Sequence, residues 1–297
     1  MNNLSVKTTK QILVPNKNPN RFFAIDFFAS LYQGSSPSFQ FLASLSDPFQ
    51  IYDNQQISPK PDALVVFENE IKEKVKGSII GFYLNPDSYN QMEDKKHLMR
   101  KALQVVQDYQ MGVYIETTSD LILNDFDLLR KIKEFAPVVI TIPIGHTTDL
   151  VSEKIEGVNA VKFIDRIKLL RKCKDAGFIT GILFKPLIPY INDSEDIILH
   201  IIDKAKDAFC DFIYPSFVIS LEENQRKSFF ELIDHDFPGL KNVYMDKFGM
   251  KKTWASPYQQ NLKKQFVFAC KKNKIAYGMK DIIQMIKPSK NEQFTLF

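Results

Sequence analysis

The sequence predicts an α/β protein built on a parallel sheet. Two observations carry this. Short, nearly continuous apolar runs such as VVITIPI and FITGILF have the composition of strands covered on both faces. Amphipathic stretches of helical length alternate with them, the pattern of repeated strand–helix units. The pattern alone admits either an open sheet or a barrel.

In chain order, strands are predicted at 78–83, 112–116, 137–142, 178–184 and 211–217, with a further one at 242–245. Helices are predicted at 62–74, 95–108, 125–135, 161–176, 194–208, 222–234 and 258–274. The second gathers Leu98, Ala102, Leu103, Val105 and Val106 on one side, and the fourth gathers Phe163, Ile164, Ile167, Leu169 and Leu170. Before residue 60 the chain is rich in Ser, Gln, Pro and aromatics, with weak periodicity, and reads as a long loop with short helical pieces. The expected organisation is an N-terminal extension over residues 1–76, a barrel or sheet domain over 77–287 and a flexible tail over 288–297.

Composition sets few limits on function. The 297 residues are 44% hydrophobic and 25% charged, enough to bury a sizeable core. The excess of 39 Lys+Arg over 35 Asp+Glu is too small to require nucleic acid as a partner. The basic run Lys263, Lys264, Lys271, Lys272 and Lys274 reads as a solvated helix face, so nucleic acid is only weakly supported. The start Met-Asn-Asn-Leu-Ser is polar, and the apolar runs fall short of the ~18 residues of a membrane span. Three scattered cysteines, Cys173, Cys210 and Cys270, imply no disulfide framework. The expectation is a cytoplasmic protein with no membrane partner.

Several segments then point to one family. IETTSDLILNDFDLLRKI, KIEGVNAVKFIDRIKLLRKCKDAGF, KPLIPYINDSEDI and FPGLKNVYMDKFG follow each other between Gly77 and Gly278. Their order and spacing resemble the spore photoproduct lyase-like branch of the radical S-adenosylmethionine superfamily. The resemblance implies a partial (β/α) TIM-like barrel of about six parallel strands. It also implies a loop after the first strand that carries Cys-x-x-x-Cys-x-x-Cys. Three thiolates there hold a [4Fe–4S] cluster whose open iron chelates S-adenosylmethionine.

In this chain the matching stretch is SLYQGSSPSFQFLAS, where the three cysteine positions fall on Ser35, Phe39 and Leu42. The first cysteine of the whole sequence is Cys173. A hydroxyl or a hydrocarbon does not replace a thiolate, so no [4Fe–4S] cluster is expected. Phe39, Phe41 and Leu42 are expected to fold inward and fill the space it would take. Other family positions are mixed. Gly81, Asp87, Tyr89, Glu93, Arg100, Asp120, Glu156 and Arg166 match, whereas the family's Lys and Arg beside Asp120 are Thr118 and Asn124. If S-adenosylmethionine still binds, the resemblance and the strand ends imply Gly81, Asp87, Tyr89, Glu116, Arg166 and Lys185 as its site.

The expected function is a non-radical binding or regulatory protein linked by resemblance to DNA repair. Two alternatives stand beside it. One is an enzyme binding S-adenosylmethionine or a nucleotide in the barrel mouth. Glu116, His146, Lys185 and Ser216 all end strands there and would form a polar pocket. The rim is expected to gather 81–87, 116–118, 144–146 and 185–189. The other alternative is an interaction module acting through its C-terminal tail. Gln293, Leu296 and Phe297 of EQFTLF resemble the short peptides by which bacterial repair proteins dock on the sliding clamp.

Overall fold

The structure is a computed structural model that describes residues 9, 11–19, 22–34, 56–83 and 86–288. Ser35, Phe39 and Leu42, the positions aligned with the family's cysteines, together with Phe41 and the tail residues Gln293, Leu296 and Phe297, lie outside the described residues. Strands β1 (Leu13–Pro15) and β2 (Phe27–Ala29) precede two short paired strands, β3 (Tyr32–Gln33) and β4 (Ser58–Pro59). Then β5 (Ile79–Phe82), β6 (Gly112–Glu116), β7 (Val138–Pro143), β8 (Ile179–Phe184) and β9 (Phe212–Pro215) follow, with helices between them. They form one seven-stranded sheet in the order β1-β2-β5-β6-β7-β8-β9. β1 is antiparallel to β2, and every other neighbour pair is parallel. The sheet curves as a partial barrel and does not close.

Side-chain alternation along the strands separates two faces. Ile80, Phe82, Val113, Ile115, Val138, Ile140, Ile142, Ile182 and Ile213 point outward into the large core under the helices. That layer contains α1 (Ala63–Ile71), α3 (Leu98–Asp108), α4 (Phe126–Lys133), α6 (Phe163–Asp175), α7 (Glu195–Asp207) and α10 (Gln259–Asn273). A one-turn helix, α2 (Glu93–Lys96), leads into α3. The helices run close to their predicted spans. Helix α7 starts at a serine whose hydroxyl accepts from Ile197 N, as an N-cap should.

The alternate residues, Ile79, Tyr114, Val139, Leu183 and Phe212, point inward and form a second core. Its contents come from outside the strands. The turn at 22–24 drives Phe23 into the barrel, 5.1 Å from the Tyr114 ring, 5.8 Å from Phe212 and 5.2 Å from Tyr214. Ile282 and Ile286 of α11 (Met279–Ile286) join it. Asp26 exchanges hydrogen bonds with Ile79 at the start of β5, so this plug fills the N-terminal end of the barrel. Phe23 and Ala24 adopt left-handed backbone, φ 49° and 56°. Such strain costs of order 1–3 kcal/mol per residue, and burying a Phe ring returns roughly 1.5–3 kcal/mol. Gly181 makes room for the neighbouring strand's Phe212, since a Cβ there would lie 2.2 Å from that ring.

Three sequence expectations are corrected. The predicted strand 242–245 lies within α9 (Leu240–Phe248). Leu240, Tyr244 and Phe248 recur every fourth residue and pack around Trp254, a helical spacing hidden inside a short apolar run. The predicted strand 211–217 ends early, and the chain turns at Ser216 into β10 (Val218–Ser220), which pairs with β11 (Thr253–Ala255). This strand pair forms a separate aromatic cluster with α8 (Glu223–Asp236) and α9, which connect its two strands, and with Ile155 of α5 (Asp149–Glu156). The stretch before residue 60, read as loop and short helices, contributes β1 and β2 to the central sheet.

Candidate functional site at the barrel mouth

Parallel strands bring their C-terminal ends to one rim. Register pairs Phe82 with Ile115, Glu116 with Thr141, and Pro143 with Leu183. The segments after β5, β6, β7 and β8 therefore meet on one edge, as the sequence predicts. Three groups of polar side chains occupy it.

The first is the inward-facing pair at the mouth. Glu116 ends β6 and Lys185 follows β8, on the inner face, and Lys185 Nζ lies 2.7 Å from Glu116 Oε1. Glu116 is 1% exposed and Lys185 14%. The other carboxylate oxygen, Glu116 Oε2, is buried without a hydrogen-bond partner, as is the hydroxyl of Tyr83 just beyond β5. Burial raises the Tyr83 phenol pKa, and the charge of Glu116 raises it further, which puts the two within electrostatic reach. Gly81 faces the same interior, where a Cβ would meet Ile25 and the Tyr83 ring at 3.0–3.2 Å.

The second group joins the loops around Asp87. Its carboxylate accepts from Tyr89 N at 2.8 Å, the Thr117 hydroxyl at 2.8 Å and Thr118 N at 3.2 Å. Burial pushes its pKa from 3.8 up to about 6 despite those hydrogen bonds, with a smaller push from Glu116. Tyr89 turns outward and donates to Asp125, which pairs with Arg100 at 2.9 Å; Arg100 also pairs with Asp127. A cavity of about 250 Å³ lies beside this chain, lined by Tyr89, Glu93, His97, Arg100 and Asp125.

The third group is buried under the rim between α5 and α6. Arg166 pairs with both oxygens of Glu156 and also donates to Pro143 O and Val161 O, each at 2.9 Å. His146 lies alongside, its Nε2 4.0 Å from Glu156 Oε1 and its Nδ1 3.1 Å from Asn192 Nδ2. Burial, aided by Arg166, lowers its pKa to about 3, so the ring is neutral.

Of the residues singled out from sequence, the structure brings Glu116 and Lys185 together and places Asp87 beside them. His146 belongs with Glu156, Arg166 and Asn192 instead. The Ser216 hydroxyl is used by Val218 O at 2.8 Å. Tyr83 and Asn192 were not singled out. Tyr83 shares the inner face with Gly81 two residues earlier, so strand alternation carried that signal.

A [4Fe–4S] cluster does not fit the described thiols. Cys173, Cys210 and Cys270 are buried on separate elements, and burial pushes each thiol pKa up to about 12. Among the described residues no three His, Cys, Asp or Glu side chains come together as a metal group. None of the described helices is long and apolar enough to cross a membrane.

No family model matches the sequence, and no curated protein does. Solved structures do match in fold. Spore photoproduct lyase complexed with dinucleoside spore photoproduct aligns with a TM-score of 0.64 and 11% identity, over 92% of this chain and 80% of that one. A point mutant of spore photoproduct lyase aligns with a TM-score of 0.63 and 13% identity over the same shares. A spore photoproduct lyase double mutant with bound AdoMet and dinucleoside spore photoproduct gives 0.62 and 12%, over 86% and 76%. The fold is therefore that of spore photoproduct lyase.

Proposed function

We propose that this chain is a spore photoproduct lyase-like barrel that works without an iron–sulfur cluster and acts as a binding protein, holding a ligand at its C-terminal rim. The observation that carries this is one of position. β2 ends at Ala29, and the sequence that follows it has no cysteine before Cys173, while all three thiols of the chain sit buried elsewhere. The ligand-binding half of the reading is supported by the mouth, where two buried polar atoms, Glu116 Oε2 and the Tyr83 hydroxyl, lack partners. Buried polar groups are nearly always satisfied, so such a pair of vacancies suits a bound molecule. Spore photoproduct lyase has been seen with AdoMet and dinucleoside spore photoproduct, which makes S-adenosylmethionine the first compound to try and keeps the DNA-repair link as part of the proposal.

The test is iron and acid-labile sulfide in the full-length chain after anaerobic reconstitution. No stoichiometric iron and no visible charge-transfer band are expected. About four irons per chain would overturn the reading.

A further inference from the structure

The mouth pairs an acid and a base that each keep unused capacity. Lys185 Nζ spends one of its three N–H donors on Glu116 Oε1, and no other partner of the ammonium appears among the described residues. Glu116 Oε2, on the same carboxylate, accepts nothing. The Tyr83 hydroxyl is a third free group, a donor, on the neighbouring strand's inner face. Beneath them, inside the barrel, Phe23 packs against the rings of Tyr114 and Tyr214. A lone cation would satisfy Glu116 and leave Lys185 and Tyr83 unused. A lone anion would satisfy Lys185 and Tyr83 and be repelled by the bare Oε2. A group carrying an ammonium and a carboxylate on adjacent atoms uses all three.

We infer that Glu116, Lys185 and Tyr83 form a subsite for the α-amino acid end of a ligand. The ammonium donates to Glu116 Oε2, and the carboxylate accepts from Lys185 Nζ and the Tyr83 hydroxyl. This rests on the cluster-free reading above, because these side chains would then do the holding that an open iron does elsewhere. The subsite does not distinguish a free amino acid from S-adenosylmethionine, which carries the same end.

Titration calorimetry on the full-length protein separates these sources. S-adenosylmethionine, decarboxylated S-adenosylmethionine, free methionine and adenosine are each titrated into wild type, Glu116→Gln and Tyr83→Phe, with melting curves to confirm folding. The expected result is binding of S-adenosylmethionine that falls at least tenfold without the carboxylate and at least tenfold in Glu116→Gln. Tyr83→Phe should lose less, and only for ligands that keep the carboxylate. Methionine binding alone would make the ligand an amino acid; no methionine binding would make the nucleoside part of the requirement. Equal affinity for the decarboxylated compound, unchanged affinity in folded Glu116→Gln, or no binding of any carboxylate-bearing compound overturns the subsite. Those outcomes leave the cluster-free reading standing, whereas binding that needs prior iron loading overturns that reading instead.

Discussion

Two acid–base pairs belong to the same rim, and they differ in what they leave unused. Glu156 and Arg166 sit between two helices under the rim. Both carboxylate oxygens are met by the guanidinium, whose remaining donors reach Pro143 O and Val161 O. Glu116 and Lys185 sit on the inner face of the sheet, and among the described residues one carboxylate oxygen has no partner and the ammonium has Glu116 alone. A saturated buried pair ties elements together and has nothing to offer a ligand. An unsaturated one at a mouth carries a standing cost that a ligand removes. Arg166, matched by resemblance to a cofactor-binding position, is thus fully engaged in holding α5 and α6 to the end of β7.

Breaking the saturated pair should have the largest effect. Arg166→Met leaves Glu156 buried without its partner and should cost about 3–5 kcal/mol in urea unfolding. If the variant melts like wild type, the pair does not tie the rim together.

Asp87, in the segment after β5, gives the next largest effect, and it depends on pH. Its folded pKa of about 6 lies above the ordinary 3.8. The folded state therefore binds more protons between those values. The stabilisation from this group is fully present below pH 3.8 and is lost as pH rises through about 6. The shift corresponds to roughly 3 kcal/mol. Asp87→Asn should flatten that part of the profile relative to wild type, measured as the difference between their unfolding free energies at pH 4 and pH 7. A parallel offset at every pH would contradict the assignment.

The smallest stability effect should come from the unsaturated pair. Glu116→Gln keeps the shape and leaves Lys185 near the solvent edge, so the cost should be about 1 kcal/mol. A loss as large as that of Arg166→Met would erase the distinction between the two pairs.

The outer half of this architecture was legible in the sequence. Strands β5 to β8 are apolar on both faces, and the helices between them carry clear 3.6-residue patterns, so the rim that gathers Glu116 and Lys185 could be placed. The inner half was not. β1 and β2 are three residues each, too short for periodicity, and sit in an aromatic-rich stretch that reads as loop. Phe23 fills the barrel through a left-handed turn made by non-glycine residues, which no residue type announces. The separation of His146 from Glu116 was also hidden. Both follow strands at one rim, but His146 lies beyond the end of β7, where Asn192 and Glu156 draw it under the loops. Whether an oxygen such as Glu116 Oε2 is left bare depends on what every neighbour does, and that is a property of the fold.

Ligand binding at this rim is expected to need no iron. S-adenosylmethionine titrated into the full-length protein should bind with a micromolar constant, about −8 kcal/mol, and the constant should be the same with a strong iron chelator as without it. Binding that is absent in the chelator and appears only after iron and sulfide are supplied would contradict the account.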